Sequence, residues 1–131
     1  SRLKNVNDII GSIAQIPAGS IDFAITALNF HDVYNRSEDD SHQLLRQIFS
    51  ALKPGGVLGI IDHKGTPGAD NVTLHRITFE DAVTSAVEAG FVLTGTSTIL
   101  RNSDDDHTLG PFDPSLGRNT DRLVLRLAKP H

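Results

Sequence analysis

The sequence predicts an α/β fold, a mainly parallel sheet with helical crossovers that ends in an antiparallel pair of strands. Short apolar, β-branched runs are typical of strands buried in a parallel sheet, and two other segments carry apolar side chains at helical spacing. Near the carboxyl terminus, two segments alternate as the strands of an antiparallel pair do. A chain of 131 residues suits one domain, so we expect a single domain over residues 1–131.

The first two predicted elements are strands. Residues 6–10 are short, β-branched and followed by a Gly-Ser turn. Residues 21–28 form an apolar run in which only Asp22 is charged. Strands that are covered on both faces of a parallel sheet have this composition.

A helix is predicted next, between Ser37 and the Pro-Gly-Gly sequence at 54–56. Ser37 is a suitable N-cap, and the acidic residues that follow it favour the helix dipole in the first turn. One apolar stripe runs along this helix: Leu44, Leu45, Ile48, Phe49 and Leu52. Residues 57–61 then predict a buried strand that ends at Asp62 and His63.

The last elements are a second helix and two strands. Thr78 can cap the helix, and Gly90 ends it. Residues 91–100 and 122–127 predict the antiparallel pair. The loop of about 20 residues between them is longer than most connections, so we expect it to be functional or to act as a lid.

Composition and charge exclude several classes of function. Sixteen acidic residues against twelve basic ones give a net charge of −4, which disfavours nucleic acid as a partner. No apolar run approaches the ~20 residues of a membrane span, so we expect no membrane partner and assign the cytoplasm by default. Because the sequence contains no Cys, disulfides, thiolate zinc sites and a cysteine nucleophile are excluded.

An ordered set of motifs covers residues 16–61: a Pro-containing turn at 17–20, a strand with an acidic start, a helix, and Leu-Lys-Pro-Gly-Gly at 52–56. This set resembles the second half of a class I S-adenosylmethionine (SAM) dependent methyltransferase. Later motifs, among them Asp62-His63, Leu74-His75-Arg76 and Thr120-Asp121-Arg122, resemble a bacterial group of uncharacterised predicted methyltransferases. The resemblance implies a Rossmann-like methyltransferase sheet, with these strands as the third through seventh of seven.

The resemblance also implies a partial domain. Members of the family carry a Gly-rich turn on their first strand, whereas this sequence contains no Gly-x-Gly. We therefore expect the sheet to lack its first two strands. The cofactor would be SAM, if the pocket is complete, and the resemblance assigns four residues to it: Ser12, Ile13, Asn29 and Phe30. Asp8 is a substitute for Ser12 as the adenine contact. For Phe30, packing is the first interpretation and stacking on adenine is the alternative.

Two polar clusters follow neighbouring strands of the predicted sheet, at 29–32 and 62–64. Ligands of open α/β sheets bind beyond the carboxyl ends of the strands, so both clusters should face one crevice. His31 is our candidate for the catalytic base because imidazole titrates near neutral pH, and Asp32 or His63 would orient it. The alternatives are that Asn29 and His31 only satisfy backbone groups, or that the His and Asp residues bind a metal ion.

Three further residues are candidates for substrate contacts. Tyr34, His75 and Arg76 could reach a small molecule that enters from the loop side, although an arginine such as Arg76 is more often a surface or ion-pair residue. The acidic run at 104–106 could bind Ca²⁺ or Mg²⁺, but an exposed loop is the better interpretation. We assign no metal ligands.

Three functions remain open from the sequence. The first is SAM-dependent methylation of a small molecule, and the second is a non-catalytic binding or oligomerisation domain. The third and weakest is a metal-dependent hydrolase that would use four residues: His31, Asp32, Asp62 and His63. Without its first two strands the sheet would expose the edge of strand 21–28, so we expect a homodimer through this edge.

Overall fold

The chain forms a four-stranded sheet with helices packed on one face, as described for residues 4–6 and 11–131 by a computed structural model. The strands are β1 (Ile21–Ala27), β2 (Leu52–His63), β3 (Val92–Ser97) and β4 (Arg122–Ala128). The α-helices are α1 (Phe30–Arg36), α2 (Glu38–Ala51) and α3 (Phe79–Glu88). Single 3₁₀ turns lie at Ile13–Gln15 and Pro114–Leu116.

The strand order is β1-β2-β4-β3. β1 and β2 are parallel, whereas β4 is antiparallel to both β2 and β3. The predicted α/β class and the terminal antiparallel pair are therefore confirmed. Because β1 and β2 are parallel neighbours, their carboxyl ends lie side by side at one edge of the sheet.

The hydrophobic core lies between the sheet and the helices. Alternate side chains of β2 and β4 point into it, and the apolar stripe of α2 packs onto them, as the helical spacing predicts. The core residues that are fully or almost fully buried include Phe30, Leu45, Ile48, Leu58, Ile60, Leu123, Leu125 and Leu127. This layer holds the carboxyl ends of β1 and β2 in a fixed position.

The predicted caps of both long helices are present. The Ser37 hydroxyl accepts a hydrogen bond from the Asp40 amide at 3.0 Å, and the Thr78 hydroxyl accepts one from the Asp81 amide at 3.1 Å. In each helix the cap satisfies an amide that has no partner within the helix. Polar residues at these positions therefore set where α2 and α3 begin.

The structure differs from the sequence prediction at several elements. Helix α1 was not predicted, because its seven residues carry no apolar stripe and Asn29 makes no side-chain cap. Strand β2 begins at Leu52 instead of Val57, since the Gly55 amide donates to the Lys129 carbonyl and the Lys129 amide to the Gly56 carbonyl. The predicted strand at residues 6–10 lies, except for Val6, outside the described residues.

The other face of the sheet is partly exposed. Phe23 and Ile25 of β1 are 57% and 58% exposed, and Val92 of β3 is 52% exposed. Phe23 and Ile25 lie over Gly59, whose Cβ, if present, would be 3.5–3.6 Å from them. Within the described part of the chain, no strand pairs with the outer edge of β1.

None of the helices in the described part of the chain is long and apolar enough to span a bilayer.

Candidate functional site

The site is built on the tight turn that joins β1 to α1. Leu28 has a positive φ of 61°, an uncommon conformation for a branched residue, and its amide donates to the Ile61 carbonyl at 2.8 Å. The turn brings Asn29 and His31 directly above the end of β1. A hydroxyl from the strand, Thr26 Oγ1, donates to Asn29 Oδ1 at 2.6 Å and holds the amide in place.

Asp62 lies at the end of β2, next to this turn, and is fully buried. One of its oxygens is 2.6 Å from Nδ1 of His31, and the other accepts the His31 backbone amide at 2.7 Å. The His63 amide also donates to Asp62, at 2.8 Å. The carboxylate therefore fixes both the position of the His31 backbone and the orientation of the imidazole.

The outer nitrogen of His31 faces a more open group of side chains. Nε2 is 3.2 Å from Asp32 Oδ1, and the same oxygen is 3.4 Å from Nδ1 of His75. His31 is 4% exposed, but the Asp32 and His75 side chains are 55% and 52% exposed. His31, the predicted base, and His75, a predicted substrate residue, thus both contact Asp32, at the border between protein and solvent.

The electrostatic setting of His31 favours its charged form. Burial alone lowers the pKa of the imidazole, but the hydrogen bond and negative charge of Asp62, with the charge of Asp32, outweigh it. The pKa of His31 is therefore raised above its ordinary value. Such a group takes up a proton more readily than a free imidazole does.

His63 behaves in the opposite way. Its Nδ1 lies 2.6 Å from the Thr120 hydroxyl, and its ring meets that of His31 edge to face at 5.4 Å. Burial lowers the pKa of His63 to about 4, against the attraction of Asp62 and with help from the charges of His31 and Arg122. His63 is therefore neutral at physiological pH, and the role predicted for it, orienting His31, stays a prediction, since the hydrogen bond to the imidazole comes from Asp62.

Arg76, a predicted substrate contact, is fully buried. Its guanidinium donates two bonds of 2.9 Å to the Asp105 carboxylate and further bonds to the carbonyl oxygens of Lys64 and Leu109. These bonds use all five N–H donors of the guanidinium. The placement corrects the predicted substrate role and supports the ion-pair interpretation.

This ion pair also fastens the long loop to the domain. Asp105 accepts bonds from the backbone amides of His107 and Asp121, at 3.0 and 2.7 Å. Burial tends to raise the pKa of Asp105, but the Arg76 and amide bonds lower it below the ordinary value. Movement of the loop as a lid would break this buried pair.

A cavity of about 490 Å³ lies beside the turn, between β1, α1 and α2. Ile13 and Asn29, two of the predicted cofactor residues, line it together with Asp32. Ser12 precedes Ile13 in the chain and is not among the lining residues, and its hydroxyl accepts the Ala14 amide at 3.2 Å. The structure therefore brings part of the predicted cofactor set into one cavity, which shares Asp32 with the histidine cluster.

Phe30 and Tyr34 lie on the inner side of α1. Phe30 is fully buried in the core, and its ring centre is 6.5 Å from that of Tyr34. Packing, the first interpretation of Phe30, is what the structure shows, and it corrects the assignment of this ring to the cofactor. Tyr34 lines a separate cavity of about 400 Å³ with residues of the 67–72 loop, where a substrate role remains a prediction.

Two residues of the site were not predicted to hold the histidines, and Asp62 was a candidate only for the metal-dependent hydrolase. Asp62 holds His31 and Thr120 holds His63. The position of Asp62 at the carboxyl end of a buried strand was a usable signal. No signal in the sequence pointed to Thr120, because it lies beside β2 only through the return of the long loop.

Comparison with known proteins supports the fold. No family model and no curated protein matches the sequence. Among solved structures, a SAM-dependent methyltransferase from Aquifex aeolicus is similar, with TM-score 0.65, 15% identity, and coverage of 98% of this chain and 57% of that one. A SAM-dependent methyltransferase from Methanosarcina mazei has TM-score 0.61 and 11% identity, and the match covers 92% of this chain and 65% of that one.

A third similar structure is the [4+2]-cyclase SpnF, with TM-score 0.62 and 17% identity, over 92% of this chain and 54% of that chain. Its name shows that this fold also serves a reaction other than methyl transfer, so the fold does not decide the reaction. The chain spans between about half and two thirds of the length of these structures. It has the Rossmann-like fold of the SAM-dependent methyltransferases over that part of their length.

Proposed function

We propose that this chain provides the acceptor side, and part of the cofactor side, of a SAM-dependent methyltransferase that acts on a small molecule. The observation that carries the proposal is the cavity of about 490 Å³ at the carboxyl end of β1, which shares Asp32 with the His31 cluster. In open α/β folds this is where ligands bind. The similarity in fold to the SAM-dependent methyltransferases named above supports methyl transfer as the class of reaction.

The cavity has the chemistry that one side of SAM requires. Ile13 and Ile48 offer apolar surface for a flat base, and Asn29 and Asp32 add polar groups at the strand end. A carboxylate close to the sulfonium would favour its positive charge, because opposite charges attract strongly where water is partly excluded. We propose that Asn29 and Asp32 face the sulfonium end and Ile13 the adenine.

His31 is the proposed base for an acceptor that loses a proton. Asp62 holds Nδ1 at 2.6 Å, which leaves Nε2 directed toward Asp32 and the open side of the site. A base of fixed orientation is effective because it does not have to be ordered in the transition state. The acceptor would lie between His31 and His75.

The test is calorimetric titration of the purified chain with S-adenosylhomocysteine. We expect micromolar binding to the wild-type protein and about tenfold weaker binding to Asn29→Ala, which loses one hydrogen bond of ~1–1.5 kcal/mol. The matched control is Asn119→Ala, since the Asn119 side chain is exposed on the long loop. The control should bind as the wild type does.

Absence of binding at millimolar ligand would refute a cofactor site on this chain. Equal binding by the wild type and Asn29→Ala would mean that the chain binds the ligand, but not at the strand end where Asn29 lies.

A non-catalytic, self-associating domain is the second candidate function. The outer edge of β1 is unpaired within the described residues, and Phe23 and Ile25 are more than half exposed on the adjoining face. Unprotected edges of apolar strands readily pair with another chain. We propose that two copies associate through this edge, whether or not the chain is catalytic.

Light scattering on a sizing column tests this proposal. Phe23→Lys places a charge on the exposed face of β1 and should convert a dimer to a monomer. Phe112→Lys is the matched control, because Phe112 is 83% exposed on the long loop. A wild-type monomer at micromolar concentration would contradict self-association.

A further inference from the structure

The cluster around Asp32 has the composition of a metal site. His31 Nε2, Asp32 Oδ1 and a ring nitrogen of His75 lie within 4.8 Å of one another. Imidazole nitrogens and a carboxylate oxygen are the donors that zinc and iron bind in proteins. In the described part of the chain, this is the group of side chains that could hold an ion.

Two of the three distances between the donor atoms also fit a zinc site. In a tetrahedral zinc site with bonds of about 2.0–2.1 Å, neighbouring ligand atoms are separated by about 3.3–3.4 Å. Asp32 Oδ1 is 3.2 Å from Nε2 of His31 and 3.4 Å from Nδ1 of His75. The ring nitrogens of His31 and His75 lie within 4.8 Å of each other, so an ion could bind all three donors once the half-exposed side chains of Asp32 and His75 adjust.

Metal-binding histidines usually have a hydrogen-bond partner on the ring nitrogen that does not bind the metal, and His31 has such a partner. Asp62 is 2.6 Å from Nδ1 and is itself fully buried, so this nitrogen is committed to the carboxylate. The other nitrogen, Nε2, then offers its lone pair to the cluster. A carboxylate behind a ligand histidine fixes the ring and raises its strength as a ligand.

We propose that His31, Asp32 and His75 bind a divalent first-row transition-metal ion, with Zn²⁺ as the reference ion. Three protein ligands leave a fourth position, and it would face the open side because Asp32 and His75 are both half exposed. Sites that keep a position open are catalytic, whereas structural zinc sites are closed by four protein ligands. The fourth ligand would be water or an oxygen or nitrogen atom of a small molecule.

The metal site goes beyond the proposed methyl transfer and stands without it. Metal ion and proton compete for the same lone pair on Nε2 of His31. An ion held by His31, Asp32 and His75 would lower the pKa of an acceptor hydroxyl at its open position, so that the hydroxyl could lose its proton to water. In the metal-free protein, His31 keeps the role of base.

Metal titration of the purified chain tests the site. After removal of metal by a chelator, Zn²⁺ is titrated by calorimetry, and Co²⁺ by its visible absorption, which reports coordination geometry. We expect one ion per chain, and no displacement by excess Mg²⁺, which prefers oxygen ligands. These readouts need neither SAM nor activity, so their outcome is independent of the S-adenosylhomocysteine titration.

Two variants locate the ion. His75→Ala and Asp32→Asn should each weaken Zn²⁺ binding at least tenfold, and because both side chains are half exposed the fold should be retained, as circular dichroism would show. His42→Ala is the control, since His42 lies on the surface of α2 and pairs with Glu88 at 2.8 Å. No Zn²⁺ binding at 100-fold excess, or binding by both variants equal to that of His42→Ala, would overturn the proposal.

Discussion

Replacement of Asp105 by alanine is the sharpest test of how the long loop is held. Asp105 and Arg76 have side chains that are 1% and 0% exposed, and they form paired bonds of 2.9 Å. The substitution leaves the Arg76 charge inside the protein with only carbonyl partners. It also removes the acceptor of the His107 and Asp121 amides.

The expected loss is large. Removal of one partner of a buried ion pair costs about 3–5 kcal/mol, because the remaining charge is not solvated. Each amide that loses its acceptor adds about 1 kcal/mol. At about 0.05–0.15 kcal/mol per residue, the free energy of unfolding of a domain of this size is about 7–20 kcal/mol, so Asp105→Ala should remain folded but strongly weakened.

Urea denaturation followed by circular dichroism measures the free energy of unfolding. The control is Asp22→Ala, whose pair with Lys53 at 3.1 Å is exposed and should contribute no more than about 1 kcal/mol. The double variant Arg76→Met, Asp105→Leu should be more stable than Asp105→Ala, since it leaves no unpaired charge inside.

A loss below about 1 kcal/mol for Asp105→Ala, equal to that of the exposed control, would refute the reasoning. It would mean that Arg76 reaches water in solution and that the loop is not anchored by this pair.

The remaining predictions concern pH, glycine and one hydrogen bond. Because the pKa of Asp105 is lowered in the folded protein, its stabilisation is complete above the unfolded value of ~3.9 and is lost as pH falls through the folded value; thermal melts in acid would measure this. Gly59→Ala should be neutral or stabilising by up to ~1 kcal/mol, since its Cβ meets only ordinary contacts, whereas Gly56→Ala should destabilise because its Cβ would be 2.8 Å from a backbone carbonyl oxygen. Urea denaturation should show Gly56→Ala to be less stable than the wild type and Gly59→Ala to be at least as stable. Thr120→Val should cost about 1 kcal/mol through the lost bond to His63, and an unchanged melt would contradict that bond.

Local patterns in the sequence were sufficient for most of the fold. The apolar stripe of α2, the caps at Ser37 and Thr78 and the buried-type strands all act within a few residues, so they can be read directly. Helix α1 was missed because it is short and is held by Asp62 from another strand. The start of β2 at Leu52 was missed because Pro-Gly-Gly usually interrupts a strand. Here Gly55 and Gly56 pair with Lys129, and the strand runs through them.

The candidate site was predictable in part. His31 and His63 were identified because polar residues at the ends of neighbouring parallel strands share one edge of the sheet. Arg76 was assigned to the substrate, but its burial against Asp105 depends on where the long loop returns. His75 contacts Asp32 from a backbone conformation with a positive φ of 52°, and no local sequence pattern predicted this conformation.

By itself, the sequence determined the α/β class, the positions of the main helices and strands, and the strand ends that carry the polar cluster. Short-range effects control these features: side-chain periodicity, helix capping and the burial preference of apolar runs. Only the tertiary structure decided which oxygen holds His31, which histidine joins Asp32, and which arginine is buried. Those contacts join residues that are 29 to 43 positions apart, and their geometry depends on the packing of all the elements between them.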